Sequence, residues 1–418
     1  MDYIKSVLPL LLFGLCITLI EASDRFRLPR GHLQTGDPQL NSYLKSIKAL
    51  PFSSLDTPIC AVLGNEAADI DSIASAVSLG YFLQENHGRN MTCSFVPVIN
   101  IPRNDLVLRR DAEFLLSFAG IDPVDLTFVD EINLDDLAIR NLLKLVLVDH
   151  NVLAFKQQHF APLVIGVVDH HHNEMRVELI DFLVHRVEPV GSACSLIALE
   201  YLARSPQLLS PNLAAFLDVV IQMDTRNFST GERKFTLVDV SAHESLLEIT
   251  DSLGQIYSVV DELRNDNSGF STDELFRKDL KIRIAGTVRY GISSITGLSM
   301  QQLYDRDASL FARMGQFALV NELELHCVLV SNGNHDRARE LVCVSKDDHL
   351  LSTVSNAVVR SGFVRAETAP AVQSRDEAID WNVSFELESV SSRKRIAPFI
   401  QQAVSSIVVF KEPKCNWT

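Results

Sequence analysis

The seven cysteines include no Cys-x-x-Cys pair, so the spacing on which structural zinc sites are built is absent. Basic charge is scarce: 38 Lys and Arg stand against 53 Asp and Glu, a formal charge of −15. That balance argues against nucleic acid or an anionic membrane as the main partner. No internal repeat and no low-complexity tract interrupts the 418 residues. Long uncharged runs are also missing, since Val7 to Ile20 falls short of the roughly 20 residues that a spanning helix needs. What remains, 47% hydrophobic and 22% charged, describes a globular chain long enough for two domains.

That one apolar run reads as the core of a secretory signal over residues 1–22, with Lys5 before it and Ile20-Glu21-Ala22 as a cleavage site. Losing Asp2, Lys5 and Glu21, a net −1, leaves −14. The expected compartment is extracellular or the lumen of a vacuole or the secretory route, with no membrane contact after cleavage. Sequons at Asn90, Asn227, Asn382 and Asn416 agree with this; Asn227, three residues past Asp224, is too close to the candidate site to carry a glycan. Cys16 leaves with the signal. Cys60, Cys93, Cys194, Cys327, Cys343 and Cys415 read as buried thiols, with disulfide pairing left open.

Strands alternate with helices in the first half. The patterns predict strands over Cys60–Leu63, Thr92–Val98, Leu142–Val148 and Leu163–Val168. Helices are expected over Gln39–Ala49, Ser72–Glu85, Arg109–Gly120, Ser192–Ala203 and Pro211–Met223. Such βαβ units imply a mainly parallel sheet flanked by helices. One long amphipathic helix is expected over Ser241–Arg264, and Asn265-Asp266-Asn267-Ser268-Gly269 reads as a linker. Strand-like segments at Ile282–Ile295, Leu323–Ser331, Glu340–Val344, Trp381–Leu387 and Ile407–Phe410 then suggest a smaller mixed α/β domain. The divisions are 24–240, a connector 241–270, and 271–412.

Polar residues follow the apolar runs: Asp69-Ile70-Asp71 after the first, Asp149-His150-Asn151 after the third, and Asp169-His170-His171-His172 after the fourth. Asp224 ends a helix. An Asp-x-Asp turn alone is an ordinary helix cap. Several acidic tips in phase are different, because carboxylates with one or two imidazoles suit Mn²⁺, Mg²⁺ or a similar divalent ion. Four carboxylates exceed what one ion needs, and two ions roughly 3.5–4 Å apart would use them all. Phosphoester or phosphoanhydride hydrolysis is the chemistry such a pair serves.

Gly64-Asn65-Glu66-Ala67-Ala68-Asp69-Ile70-Asp71-Ser72, Val148-Asp149-His150-Asn151, Val168-Asp169-His170-His171 and Met223-Asp224-Thr225 resemble the four ordered motifs of the DHH phosphoesterase superfamily. Leu275–Lys281 and Ser392–Pro398 resemble signatures of the DHHA2 domain found with it in exopolyphosphatases, prune proteins and family II pyrophosphatases. The resemblance implies an active site in the cleft between the two domains. It implies Asp69, Asp71, Asp149, His170 and Asp224 as metal ligands with Asp149 bridging, and Asp169 orienting His170. His171 would touch substrate or move a proton. Lys281, Arg393 and Lys394 would grip phosphate oxygens. His172 has no counterpart, and the roles of Arg103 and Arg109 stay open.

Asn65 departs from the pyrophosphatase pattern, which has a metal-binding histidine there. An amide carbonyl is a poorer ligand for Mn²⁺, so the first site should be weaker and more tolerant of Mg²⁺. Asparagine here resembles the yeast-type exopolyphosphatases and prune proteins. The expectation is therefore an exopolyphosphatase acting on polyphosphate or another short phosphoanhydride with two divalent ions, Mn²⁺ or Mg²⁺, and Co²⁺ as a third candidate. A pyrophosphatase or nucleotide phosphodiesterase on the same site is the alternative, and a catalytically silent scaffold the rival from another class.

Overall fold

The apolar runs of the first half become β1 (Ile59–Leu63), β2 (Ser94–Ile99), β3 (Thr127–Phe128), β4 (Leu143–Val148), β5 (Val164–Asp169) and β6 (Val184–Val187) in the computed structural model. Every neighbouring pair is parallel, in the order β3-β2-β1-β4-β5-β6. β1 is buried at all five positions and β4 at all but Lys144, as strands covered on both faces must be. The structure describes residues 36–407 except 89, 92, 175–182, 231–233, 251–252, 333–338, 366–370, 374–380 and 389–390. The signal at 1–22, Cys16, Cys415, the Asn416 sequon and positions 408–410 of the last expected strand lie outside the described residues.

Helices α1 (Pro38–Lys48), α2 (Ile70–His87), α3 (Arg110–Phe118), α4 (Leu134–Ile139), α5 (Ala193–Arg204), α6 (Pro211–Thr225), α7 (Leu237–Leu247) and α8 (Gly254–Asn265) complete the first half. Strand order reverses between β1 and β4, so consecutive crossovers leave in opposite directions there. A crevice opens at the carboxyl ends of those two strands. This is where the Asp-x-Asp turn and Asp149 fall.

The single helix expected over Ser241–Arg264 is two. Leu246 and Leu253 are both buried in the first core, and the chain turns between them before Gly254, a poor helix former, opens α8. Ile256, Val259 and Val260 carry that core into α8. The expected linker is tied down on both sides. Asn267 is 3% exposed, and its Nδ2 donates to the Asn265 and Thr296 carbonyls at 3.0 and 2.6 Å.

The second half holds α9 (Thr272–Lys278), β7 (Leu280–Ala285), β8 (Val288–Thr296), α10 (Met300–Arg306), α11 (Leu310–Val320), β9 (Leu325–Ser331), β10 (Arg339–Ser345), α12 (Asp348–Arg360), β11 (Ala371–Gln373), β12 (Trp381–Leu387) and α13 (Arg393–Ser405). Its sheet runs β11-β12-β10-β9-β8-β7, with β8–β9 parallel and the other pairs antiparallel. Where one strand was expected over Ile282–Ile295, a hairpin forms. Gly286, at a φ of +61°, takes the left-handed conformation that a two-residue turn requires. Alternation along the strands builds two cores: Leu341 and Cys343 pack with α12 and α13, Val342 and Val344 with α9 to α11.

Two pairs of cysteines are joined. Cys60 of β1 bonds Cys93, just before β2, and Cys327 of β9 bonds its directly opposed residue Cys343 in β10. Cys194 alone among the described cysteines is a buried thiol.

Arg103 proves structural. It pairs with Glu131 at 2.5 Å, donates to the carbonyls of Pro123 and Leu126, and lies over the Phe128 ring. Lys48 of α1 reaches the same carboxylate at 2.7 Å. Partial burial opposes the charge of Glu131, but hydrogen bonds from Arg103, Lys48 and the Phe128 N–H outweigh it and push the carboxyl down to about 2. A depressed carboxyl stabilises the fold above its unfolded value and loses that contribution as pH falls through the folded one. Glu131→Gln should therefore flatten the fall in unfolding free energy between pH 4.5 and about 2, measured by urea denaturation beside the parent protein. Parallel curves for the two proteins would contradict this.

Candidate metal centre

The turn from β1 into α2 is built by its own side chains. Asp69 caps α2, accepting the Ser72 N–H at 3.1 Å. Asp71, buried in the first turn, accepts the Ala193 N–H at 2.8 Å and the Cys194 N–H at 3.1 Å. It thus receives the N-terminus of α5, whose partial positive charge favours an anion. Asn65 Oδ1 accepts the N–H groups of Ala67 and Ala68 at 2.8 and 2.9 Å, which leaves its Nδ2 to donate to Asp149 Oδ2 at 2.6 Å. This corrects the expectation of a weak carbonyl ligand: Asn65 shows the centre an amide N–H, and its oxygen is spent on the loop.

Asp149 follows β4 at a φ of +59°, in the left-handed region. Its Oδ1 is buried and meets no hydrogen-bond donor among the described residues. His170 Nε2 lies 3.2 Å from that oxygen and 3.9 Å from Asp71 Oδ2. His170 Nδ1 donates to the Val190 carbonyl at 3.1 Å, so Nε2 turns its lone pair toward the carboxylates. Asp169 does not hold the His170 ring, contrary to expectation. Its Oδ1 accepts His171 Nδ1 at 2.8 Å and the backbone N–H groups of both histidines, and Oδ2 takes Asn151 Nδ2 at 2.5 Å. Asp149, His170 and His171 place one donor atom each within 4.8 Å of one another.

Burial and the charges of Asp69 and Asp71 push the Asp149 carboxyl well up. Burial and Asp71 do the same to Asp224 at the end of α6. Burial also opposes the charge of Asp69, yet Lys281, the Ser72 N–H, Arg264 and Arg109 together hold its carboxyl below the usual range. An orphaned buried oxygen, an imidazole lone pair and carboxylates that raise each other's pKa form a donor set that fits a divalent cation.

Across the cleft, Lys281 on β7 is lowered by burial and by Arg393, while Asp69 and Asp149 act to keep it charged. Arg393, opening α13, pairs with the Asp279 carboxylate and carbonyl, both at 2.8 Å. Exposed Lys394 follows it. Burial, with Lys394 and His170 contributing, pushes the His171 imidazole down to about 3. His172 lies on the surface, and its carbonyl accepts Asn151 Nδ2. His150, to which the sequence assigned no role, is half-buried with Nδ1 on the Val148 carbonyl, and desolvation pushes it down to about 4.

Four residues to which the sequence reading gave no role support the site. Arg109 is 5% exposed and donates to the carbonyls of Ala67 and Ala68, holding Ala68 at a φ of +44° that costs a residue with a β-carbon about 1–2 kcal/mol. Arg264 of α8 stands 4.0 Å from Asp224. Asn151 steers Asp169. Asp239 of α7, fully buried, accepts the Gly191 N–H at both oxygens (2.9 and 2.8 Å) and Ser195 Oγ at 2.7 Å. It also takes the Thr236 N–H at 2.7 Å. It thereby fixes the turn whose Val190 carbonyl orients His170. A β-carbon on Gly191 would lie 2.8 Å from the Lys234 carbonyl, so the turn admits only glycine. Thr236-x-x-Asp239 is legible as a capping box, but its reach to Gly191 is not.

Residues 60–221 match the DHH family, N-terminal domain, and residues 261–403 the DHHA2 domain. The chain is 29% identical over 378 residues to Exopolyphosphatase PRUNE1 of Bos taurus, covering 88% of this chain and 80% of that protein. It is 25% identical over 349 residues to a "Probable manganese-dependent inorganic pyrophosphatase" of Staphylococcus saprophyticus, covering 82% and 98%. The crystal structure of a "Methanococcus jannaschii putative family II inorganic pyrophosphatase" superposes with a TM-score of 0.58 at 20% identity, over 82% of this chain and 98% of that one, which places the fold.

Removing the clamp behind His170 should weaken metal binding without touching a ligand. Asp239→Ala is expected to cost about 10–100-fold in Mn²⁺ affinity by calorimetric titration. Asp239→Asn, which keeps one acceptor oxygen, should recover part of it. Equal affinities in all three proteins would dismiss the clamp.

Proposed function

We propose that this chain, a member of the DHH family whose second half is a DHHA2 domain, is an exopolyphosphatase that hydrolyses terminal phosphoanhydride bonds of linear polyphosphate to orthophosphate. One observation carries the reading. The acid and imidazole cluster at the β1/β4 crevice meets Lys281, Arg393 and Lys394 from the second domain, within an otherwise acidic protein. Asp69, Asp71, Asp149, His170 and Asp224 would hold two divalent ions, Mn²⁺ or Mg²⁺. Such ions supply Lewis-acid polarisation of a phosphoryl oxygen and lower the pKa of water.

The remaining work falls to the chain's own groups. Water adds to the terminal phosphorus, and the leaving phosphate oxygen takes up a proton. His171 has Nδ1–H fixed on Asp169 and is kept neutral by burial, so Nε2 is free to accept or pass a proton beside the substrate. Lys281 acts as a point charge. Arg393, anchored on Asp279, presents its remaining N–H groups to phosphate oxygens. The pyrophosphatase alternative is the less favoured, since Asn65 spends its oxygen on the loop where that branch carries a ligating histidine.

We place the protein in the secretory route on the signal-like residues 1–22 and the two disulfides, which persist in oxidising compartments. Asn90 is exposed after α2 and suits a glycan, whereas Asn382 is 2% exposed within β12 and does not.

Asp149→Ala should abolish phosphate release from polyphosphate, a loss of at least about 10³-fold, with an unchanged circular dichroism spectrum. A chelator should silence the parent protein reversibly. Substantial activity in the variant, or much faster cleavage of pyrophosphate by the parent, would overturn the assignment. Protein secreted from a eukaryotic host should begin near Ser23, carry an endoglycosidase-sensitive glycan at Asn90 and none at Asn382, and yield linked Cys60–Cys93 peptides. An unglycosylated cytosolic product would refute the compartment.

A further inference from the structure

Arg283 lies two residues beyond Lys281 on β7, and alternation puts both side chains on one face of the edge strand, roughly 6.6 Å apart. Lys281 is within electrostatic reach of Asp69 and Asp149. Arg283 is the outer of the two, 41% exposed, and its Nη1 crosses the cleft to Glu66 Oε1 at 2.6 Å. Glu66 belongs to the site loop, next to Asn65. Directly opposite Arg283 in the β7–β8 hairpin stands Tyr290, whose buried hydroxyl has no partner among the described residues. Arg283 also bears on His150, which follows Asp149.

We propose that Arg283, with the Tyr290 hydroxyl, is an outer phosphate subsite for the part of a phosphoanhydride chain lying beyond the bond that is cut, and that Glu66 is the internal anion the chain displaces. The inference rests on the phosphoanhydride reading of the metal centre and adds a basis for chain length. Pyrophosphate is short enough to be held by the centre, Lys281 and the Arg393–Lys394 pair. A longer chain extends toward solvent along β7, where the next cation is Arg283. Arg283 holds Glu66 through Nη1 alone, at 2.6 Å, so a phosphate that takes the place of the carboxylate can keep that hydrogen bond and add the second arm of the guanidinium fork. Glu66 is the less exposed partner at 19%, and its release puts negative charge into solvent at the cleft rim.

The two ends of the pair give opposite expectations. Arg283→Gln should raise KM for long-chain polyphosphate on the order of tenfold relative to its KM for pyrophosphate. Glu66→Gln should lower the long-chain KM, since the competing anion is gone. Arg283→Lys, keeping charge but losing the fork, should fall between. Equilibrium binding of long-chain polyphosphate to the metal-loaded parent and to each variant, read by competition with a fluorescent polyanion, should show the same order. A latch that merely holds the domains together would move both variants in the same direction. Shifts of like sign, or none, would overturn the subsite while the parent still cleaves polyphosphate. A parent protein that neither binds nor cleaves long chains would sink the underlying activity as well.

Discussion

Mutual repulsion among buried carboxylates is the constraint around which this molecule is arranged. Asp69, Asp71, Asp149 and Asp224 converge at one crevice, and burial alone would drive Asp69, Asp149 and Asp224 toward their neutral forms. The fold answers with oriented N–H groups and fixed cations. Asp69 caps its own helix, and Asp71 takes the first amides of a helix some 120 positions away. Arg109 sits beneath the loop, Arg264 beside Asp224, and Lys281 reaches in from the other sheet. None of these donates to Asp149 Oδ1, a buried oxygen with no hydrogen-bond donor among the described residues. The protein carries that cost at the one position where a divalent cation would relieve it.

The second domain is accordingly an electrostatic complement and not a mere cover. Its cations cluster where β7 and the start of α13 meet, and most are already answered by acids: Arg393 by Asp279, Arg283 by Glu66, Arg277 by Asp105. An acidic protein can thus present a short strip of positive charge without losing its overall repulsion of polyanions elsewhere. The site selects by location as much as by chemistry.

Much of this is legible in the sequence because it follows a period. Buried parallel strands appear as unbroken apolar runs, and a polar residue at the end of such a run sits at the sheet's carboxyl edge. The pattern by itself therefore places Asp69, Asp149 and His170. Contacts without a period leave no such mark. Asp169 precedes His170 in sequence, yet the Val190 carbonyl takes the His170 ring and the Asp169 carboxylate takes that of His171. The amide of Asn65 could face either way until Ala67 and Ala68 claimed its oxygen. The hairpin at Gly286 keeps its apolar alternation through the turn and so reads as one strand. Asp239 looks like a local cap because the partner it clamps, Gly191, is 48 residues away.

Asn267 gathers the space between the halves into one knot: it bonds Asn265 and Thr296, while Lys278 and Arg306 bond back to it. Arg110 of the first half clasps Asp266 and Ser268 on its flank. A joint bound this tightly has few torsions left to spend. The halves are therefore joined by a pinned segment in place of a wandering tether. Lys281 lies three residues past Lys278, so it hangs from that knot and not from a loose chain, and bringing it to an anion orders little that is not ordered already.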